Sequence, residues 1–128
     1  MSTEQNKAVV SRFMTEVLVG GNIALVDELL APNYVNRGTS TGREATKAVF
    51  ATLSALPGLR LQIENLVAEG DAVVARFTAE ATIAGKATSM RGLTYYGLAN
   101  GRIVEDDPIT TPDLLQLLAG QMPMPAGR

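Results

Sequence analysis

The chain of 128 residues is long enough for one domain with a single hydrophobic core and too short for two. Its 11 basic and 13 acidic residues give a net charge of −2, and no segment concentrates lysine and arginine, so we expect no nucleic-acid partner. The sequence has no cysteine and no histidine, which excludes disulfides, thiolate nucleophiles and the commonest metal ligands. We therefore expect no metal site, and catalysis would depend mainly on carboxylates and tyrosines.

Three helices are predicted in the N-terminal half of the chain. The first begins at a capping-box pattern formed by Ser2 and Gln5, and its apolar stripe ends at a pair of glycines. The second covers residues 23–30 and the third residues 43–56, each ending before a proline. A short extended segment, YVN, lies between the second and third helices.

From Leu59 onward the apolar pattern changes to period two, which predicts an antiparallel meander of four strands. Asn100-Gly101, between the last two strands, is a strong hairpin signal because both central residues of a type I′ turn need positive φ. A last helix is predicted over residues 113–119, and an irregular tail over residues 121–128. We therefore assign one domain to residues 1–120. The four predicted strands are residues 59–70, 72–85, 87–99 and 102–110.

Helices followed by a meander indicate an α+β fold. Long twisted strands curl, so we expect a cone-shaped, curved antiparallel sheet wrapped around the three N-terminal helices, with a short C-terminal helix. No apolar run reaches the roughly 20 residues that span a bilayer, and the polar start, MSTEQNK, lacks the apolar segment of a signal peptide. We expect a cytoplasmic protein with no membrane partner.

Three consecutive acids, Glu105, Asp106 and Asp107, lie on the last predicted strand. Because side chains alternate between the two faces of a strand, at least one acid is expected to face the interior. A carboxylate in an apolar cone would have its pKa raised toward the range of an acid/base at neutral pH. We expect Asp107, slightly ahead of Asp106, to be this group, re-aimed by a bulge at Pro108. The alternative is a solvated strand end whose charges block edge pairing.

Arg76 lies in an apolar run in the middle of a long predicted strand and therefore needs a partner. One interpretation pairs it with Asp107 or Glu105 across neighbouring strands, in a catalytic arrangement. The other is an ion pair on the outer face of the sheet with Glu80, Glu64 or Glu105. The sequence leaves both open.

The order of the elements and four local motifs resemble the SnoaL-like polyketide cyclases, a family with the nuclear transport factor two-like fold. The motifs are VDELLAPNYVNRG, AVVARFTAEATIAG, LANGRIVED and LLQLLAG, and together they extend over almost the whole chain. The resemblance implies a cofactor-independent intramolecular aldol closure in which a carboxylate acts as acid and base. It also implies a homodimer, because a second subunit commonly covers the outer sheet face in this fold. The apolar residues on both faces of residues 72–79 agree with that expectation.

The same resemblance assigns residues to the pocket. Asn36 matches a pocket asparagine of the cyclases. Their acid aligns with Pro108, and two further polar positions align with Gly92 and Thr94. By the orientation of the family, Tyr96 lines the pocket, where its phenol would polarise a substrate oxygen. Alternatives are packing for the tyrosines and a turn for Asn36. The other predicted lining residues are Tyr34, Phe13, Met14, Phe50 and Met90.

The hypothesis that follows is ring closure on a hydrophobic, polyketide-type intermediate of secondary metabolism. Asp107 or Asp106 would move the proton, while Tyr96, Tyr34, Asn36 and Arg76 would position the substrate. One alternative is epoxide opening or polyketide hydroxylation in the same cone, since related members perform these reactions. Arg76 with nearby acids is similar to the arrangement in epoxide hydrolases of this fold. A further alternative is a protein that binds a hydrophobic small molecule without catalysis.

Overall fold

A computed structural model describes residues 2–119 of the chain. Helix α1 (Thr3–Arg12) begins at the predicted capping box, in which the Ser2 hydroxyl accepts from the Gln5 backbone N–H at 3.0 Å. The helix continues in a π-helical winding (Phe13–Val19), a rare form that often occurs at functional sites. A 3-10 turn (Ile23–Leu25) precedes the later helices, which are α2 (Val26–Leu29), α3 (Arg43–Ser54) and α4 (Leu114–Leu118).

The strands form one six-stranded sheet. They are β1 (Leu30–Asn36), β2 (Thr41–Gly42), β3 (Arg60–Glu69), β4 (Ala72–Ile83), β5 (Lys86–Ala99) and β6 (Arg102–Thr111). Their order is β2-β1-β6-β5-β4-β3, and every pair is antiparallel except β1 with β6. At the turn between β5 and β6, Asn100 and Gly101 have φ of 52° and 79°, as a type I′ turn requires.

Strand β2 is missing from the sequence prediction, and β1 is predicted only in part, as the extended segment 34–36. The residues of β1 were assigned in part to the second helix, but that helix ends at Leu29 and Leu30 already pairs with Ile103 of β6. Pro32, which disfavours a central strand, is tolerated here because it lies in the irregular stretch between Leu30 and Val35, where β1 has no registered partner on β6 or β2. The four-strand meander is correct for β3 to β6, and β1 extends it by a parallel pairing. The predicted tail at 121–128 lies outside the described residues.

The molecule has the predicted α+β architecture, a curved and unclosed sheet with the N-terminal helices packed against its inner face. Phe13 links these layers, since its ring packs edge-to-face on Phe50 of α3 and on Tyr96 of β5, with centroid distances of 5.2 and 6.0 Å. Among residues 2–119, no helix is long and apolar enough to cross a membrane.

Candidate active site

A β-bulge in β6 decides which of the three acids faces the interior. Across the β5–β6 pair, Leu98 lies opposite Ile103 but Gly97 lies opposite Glu105, so Val104 is an extra residue. The extra residue shifts the alternation by one position. Ile103 and Asp106 are therefore both buried although they are three residues apart.

The expectation that Asp107, rather than Asp106, faces the interior is wrong. Without the bulge, Asp107 would share the inner face with Ile103. With it, Asp107 is exposed and lies opposite Tyr95, another exposed residue, whereas Asp106 lies opposite the buried Tyr96. The shift comes from Val104, before the acids, and not from the bulge predicted at Pro108.

The Asp106 carboxyl group is held by Tyr34 of β1. The Tyr34 hydroxyl donates to Asp106 Oδ2 at 2.9 Å, and both side chains are buried. Within residues 2–119, no hydrogen bond engages Asp106 Oδ1. The sealed polar side-chain atoms without a partner in this range are Asn6 Oδ1 and Arg43 Nε, so Asp106 Oδ1 keeps access to free space. One carboxyl oxygen is therefore fixed and the other faces the cavity that Asp106 lines.

The pKa of Asp106 is raised to about 7, mainly by burial; the Tyr34 hydrogen bond opposes this rise, and the negative charge of Asp107 adds to it. Burial also raises the pKa of Tyr34 well above its ordinary range, with the Asp106 charge acting in the same direction and the Asn36 amide in the opposite one. The Tyr96 pKa is raised for the same two reasons, burial first and then the Asp106 charge. The two phenols stay protonated, and the carboxyl group exchanges its proton near neutral pH.

Asn36 completes a polar row across three strands. It lies opposite Asp106 in the parallel β1–β6 pair, and Asp106 lies opposite Tyr96. Asn36 Oδ1 accepts from the backbone N–H groups of Gly38 at 2.8 Å and Thr39 at 3.2 Å. These two bonds identify the amide oxygen, so the remaining atom, Nδ2, is a donor. Asn36 therefore combines the predicted turn role with a place in the cavity lining.

The cavity beside this row is narrow and largely apolar, with a volume of about 80 Å³. Of the residues predicted to line it, Asn36, Thr94, Tyr96, Met14, Phe50 and Met90 do so. Helix α4 also covers it, through Leu114, Leu115 and Leu118. Sequence reasoning missed this contribution, and the signal available was the apolar LLQLL segment, which needs a surface to pack on.

Two other predicted lining residues lie behind the wall. Tyr34 donates to Asp106, and Phe13 packs edge-to-face on Phe50 and Tyr96, but neither Tyr34 nor Phe13 lines the cavity. Both residues were predicted to line the pocket, and both instead contact side chains that line it.

Arg76 is on the opposite face of the sheet from the cavity. It is exposed, lies opposite Leu93, and makes no ion pair with any residue between 2 and 119. Glu80 pairs with Arg60 at 3.2 Å, and Glu105 with Arg37 at 3.1 Å. Both interpretations of an Arg76 partner are therefore wrong, because an exposed arginine is solvated and needs none.

Gly92, which aligns with a polar position of the cyclases, has no space for a side chain. A Cβ there would lie 2.7 Å from the Ile109 carbonyl oxygen and 2.8 Å from both Phe77 Cζ and Thr110 Cγ2. Phe77 occupies the space that a polar side chain would take. The wall of this cavity is consequently more apolar than the resemblance implies. Within residues 2–119, no cluster of three acidic side chains is arranged to hold a metal ion.

Comparison with known proteins places this geometry in a family. Residues 8–119 match the family described as SnoaL-like polyketide cyclase. No match was found among curated proteins. A candidate polyketide cyclase from Acidithiobacillus ferrooxidans is 29% identical, with a TM-score of 0.74 over 91% of this chain and 97% of that one.

Two further solved structures share the fold. IdmH from Streptomyces antibioticus, a candidate polyketide cyclase, is 23% identical, with a TM-score of 0.73 over 89% of this chain and 98% of that one. An LEH-like epoxide hydrolase from M. tuberculosis is 21% identical, with a TM-score of 0.72 over 91% of this chain and 90% of that one. Because the family model covers residues 8–119, most of the chain, the chain belongs to the SnoaL-like polyketide cyclase family.

Proposed function

We propose that this protein is a cofactor-independent enzyme of secondary metabolism that closes a ring on a hydrophobic, polyketide-type intermediate by acid/base chemistry. One observation carries the proposal. Asp106 is buried at the polar end of an apolar cavity, with one oxygen fixed by Tyr34 and a pKa of about 7. A carboxyl group poised near neutral pH both accepts and returns a proton, as an aldol closure requires.

In the proposed reaction Asp106 removes a proton from the carbon next to a substrate carbonyl. The resulting enolate carbon attacks a second carbonyl carbon of the same molecule, forming a C–C bond, and the new alkoxide takes the proton back from Asp106. Tyr96 and Thr94, which line the cavity beside Asp106, supply hydroxyl donors for the enolate oxygen, and Asn36 supplies an amide donor. Tyr34 acts as a positioning residue because it fixes the carboxyl group without lining the cavity.

A small diketone tests this chemistry. Intramolecular aldol closure of 2,6-heptanedione followed by loss of water gives 3-methylcyclohex-2-enone, whose conjugated enone is followed by ultraviolet absorbance. Asp106→Asn should lower the enzyme-dependent rate by a factor of about 10² or more. Asp107→Asn is the matched control, since it removes a neighbouring exposed carboxylate and should leave most of the rate. Equal rates for wild type and Asp106→Asn would contradict the proposal.

The alternatives predict different outcomes with other probes. If the protein opens epoxides, a hydrophobic epoxide incubated in ¹⁸O-labelled water should acquire solvent oxygen, with the same dependence on Asp106. If the cone only binds, the diketone should bind without conversion. Arg76 no longer supports epoxide opening, because it lies outside the cavity.

We also propose that the protein forms a homodimer through the outer face of its sheet. Four apolar side chains are exposed there on β3, β5 and β6, and Leu93 and Ile109 are directly opposite each other. Several large exposed apolar side chains on one sheet face are typical of a protein–protein contact surface. The cytoplasmic location and the absence of a nucleic-acid partner stay predictions. The four exposed apolar residues are Val67, Leu93, Tyr95 and Ile109.

A further inference from the structure

The cavity separates its polar and apolar groups along the strands. Tyr96 and Asp106 face each other in one inward row, with Thr94 in the next row of β5. Two rows further along the same strands, Met90 lies opposite Ala79. Six residues separate Tyr96 from Met90, a distance of about 20 Å along a strand. The cavity is thus a trough with Asp106, Tyr96 and Thr94 at one end and an apolar wall of β4 and β5 toward the other.

On the β4 and β5 side of the trough, the side chains beyond the polar end offer no oxygen or nitrogen to a ligand. Phe77, Ala79 and Met90 supply the sheet side of the trough, and Leu59 and Leu61 continue it. Backbone groups of β4 and β5 are paired with each other along this stretch. A ligand hydroxyl or carbonyl placed against this wall would lose its water without gaining a partner, and this uncompensated desolvation weakens binding.

Two further polar residues line the cavity under α4, and both are already engaged. The Thr110 hydroxyl accepts from the Leu114 backbone N–H at 2.6 Å, and Asp113 Oδ1 accepts from the Gln116 N–H at 3.2 Å. Both residues therefore already serve as caps of α4, and neither lies on the wall formed by β4 and β5. The volume of about 80 Å³ also lies below the roughly 300 Å³ of pockets that hold drug-sized ligands.

From this distribution we infer that the substrate carries its oxygen functions at one end, beside Asp106, and is a compact hydrocarbon over the rest of its length. A fused-ring compound with hydroxyl groups around its edge does not match the trough. The inference rests on the proposed function for the site, since it takes Asp106 as the reacting end. It narrows the substrate class to short or single-ring ketones with an alkyl remainder.

Binding of a matched ligand pair tests the inference. The probes are 2-octanone and 8-hydroxy-2-octanone, measured by isothermal titration calorimetry on the wild-type protein, with 1,8-dihydroxyanthraquinone as a fused-ring comparison. We expect 2-octanone to bind at least about tenfold more tightly than its hydroxylated counterpart, as the desolvation cost implies. Tighter or equal binding of either hydroxylated compound would overturn the inference.

A variant pair locates the discrimination in the trough. Met90→Gln provides a hydrogen-bond partner at the far end and should reduce the preference for 2-octanone by about tenfold. Ser89→Gln changes the adjacent exposed residue and should leave the preference as in the wild type. An unchanged preference in Met90→Gln would place the discrimination elsewhere and overturn the inference.

The binding result is independent of turnover. Loss of the ligand preference, with diketone closure still dependent on Asp106, would refute the substrate class and leave the proposed function standing. A retained preference, with closure independent of Asp106, would refute the proposed function alone.

Discussion

Replacing Tyr34 by phenylalanine isolates the contribution of one hydrogen bond to the pKa of Asp106. The change removes the donor that lies 2.9 Å from Asp106 Oδ2 and keeps the aromatic ring that packs in the core. That hydrogen bond favours the charged carboxylate, so it opposes the rise that burial causes, and the net pKa is about 7. Removing it should raise the Asp106 pKa.

The magnitude follows from the strength of such bonds. A hydrogen bond to a charged group contributes about 1.5–3 kcal/mol, and 1.4 kcal/mol corresponds to about one pKa unit. An upward shift of about one unit would reduce the ionised fraction of Asp106 at pH 7 from about one half to about one tenth. The rate of diketone closure at pH 7 should then fall about fivefold, and it should recover at higher pH because the carboxylate is still formed there.

Two measurements check this prediction. The Asp106 carboxyl carbon is titrated by ¹³C NMR, with its resonance assigned by its absence in Asp106→Asn, and the pH–rate profile is recorded for both proteins. Tyr95→Phe, which removes an exposed tyrosine hydroxyl on β5, should leave the titration of Asp106 unchanged. If the Asp106 pKa stays constant or falls in Tyr34→Phe, the assignment of Tyr34 as the group that fixes the carboxylate is refuted.

Three further predictions concern stability, assembly and packing. The folded-state pKa of Asp106 is about 7 against a usual value of 3.8, so ionisation of this carboxyl group opposes folding. The stability that its protonated form contributes is fully present below about pH 4 and is lost as the pH rises through 7, which lowers the free energy of unfolding by about 4 kcal/mol. Asp106→Asn should therefore stabilise the protein more at pH 8 than at pH 4 in urea titrations; an equal effect at both would contradict the burial argument. Leu93→Lys should convert the proposed dimer to a monomer in light scattering after size exclusion, whereas Ala51→Lys, on the exposed surface of α3, should not; a Leu93→Lys dimer would exclude this face. Gly92→Ala should lower the free energy of unfolding by about 1–3 kcal/mol, because its Cβ meets Phe77 and a strand carbonyl at less than normal contact distance, and an unchanged urea midpoint would show that the strands adjust.

The fold was largely predictable because its signals are local. The capping box at Ser2, the Asn100-Gly101 turn and the change from helical to period-two spacing each depend on a few neighbouring residues. The parallel pairing of β1 with β6 was not predictable in this way, since it joins segments about seventy residues apart in sequence. The proline within β1 also concealed the strand.

The site was predictable in composition and not in orientation. The EDD segment, Tyr96, Asn36 and Thr94 were found from strand alternation and from the family resemblance, and Asp106, Tyr96, Asn36 and Thr94 line the cavity. Which acid faces inward depends on one extra residue at Val104, and no residue type there marks a bulge. For Arg76, the sequence did not show which face of β4 carries the side chain. Its apolar neighbours in sequence did not mean that its own position is buried.

The bulge at Val104 also bears on how this strand is compared with others. Two adjacent aspartates follow it, so deleting Val104 would remove the bulge and keep Asp106 inward, whereas regular pairing of the full-length strand would turn Asp106 outward and bring Asp107 into its place. A carboxyl group would face the cone in either register. An alignment of β6 with an unbulged strand that has no gap therefore pairs residues from opposite faces after position 104. Placing a gap at Val104 aligns the inward residues of both strands, including the inward acid.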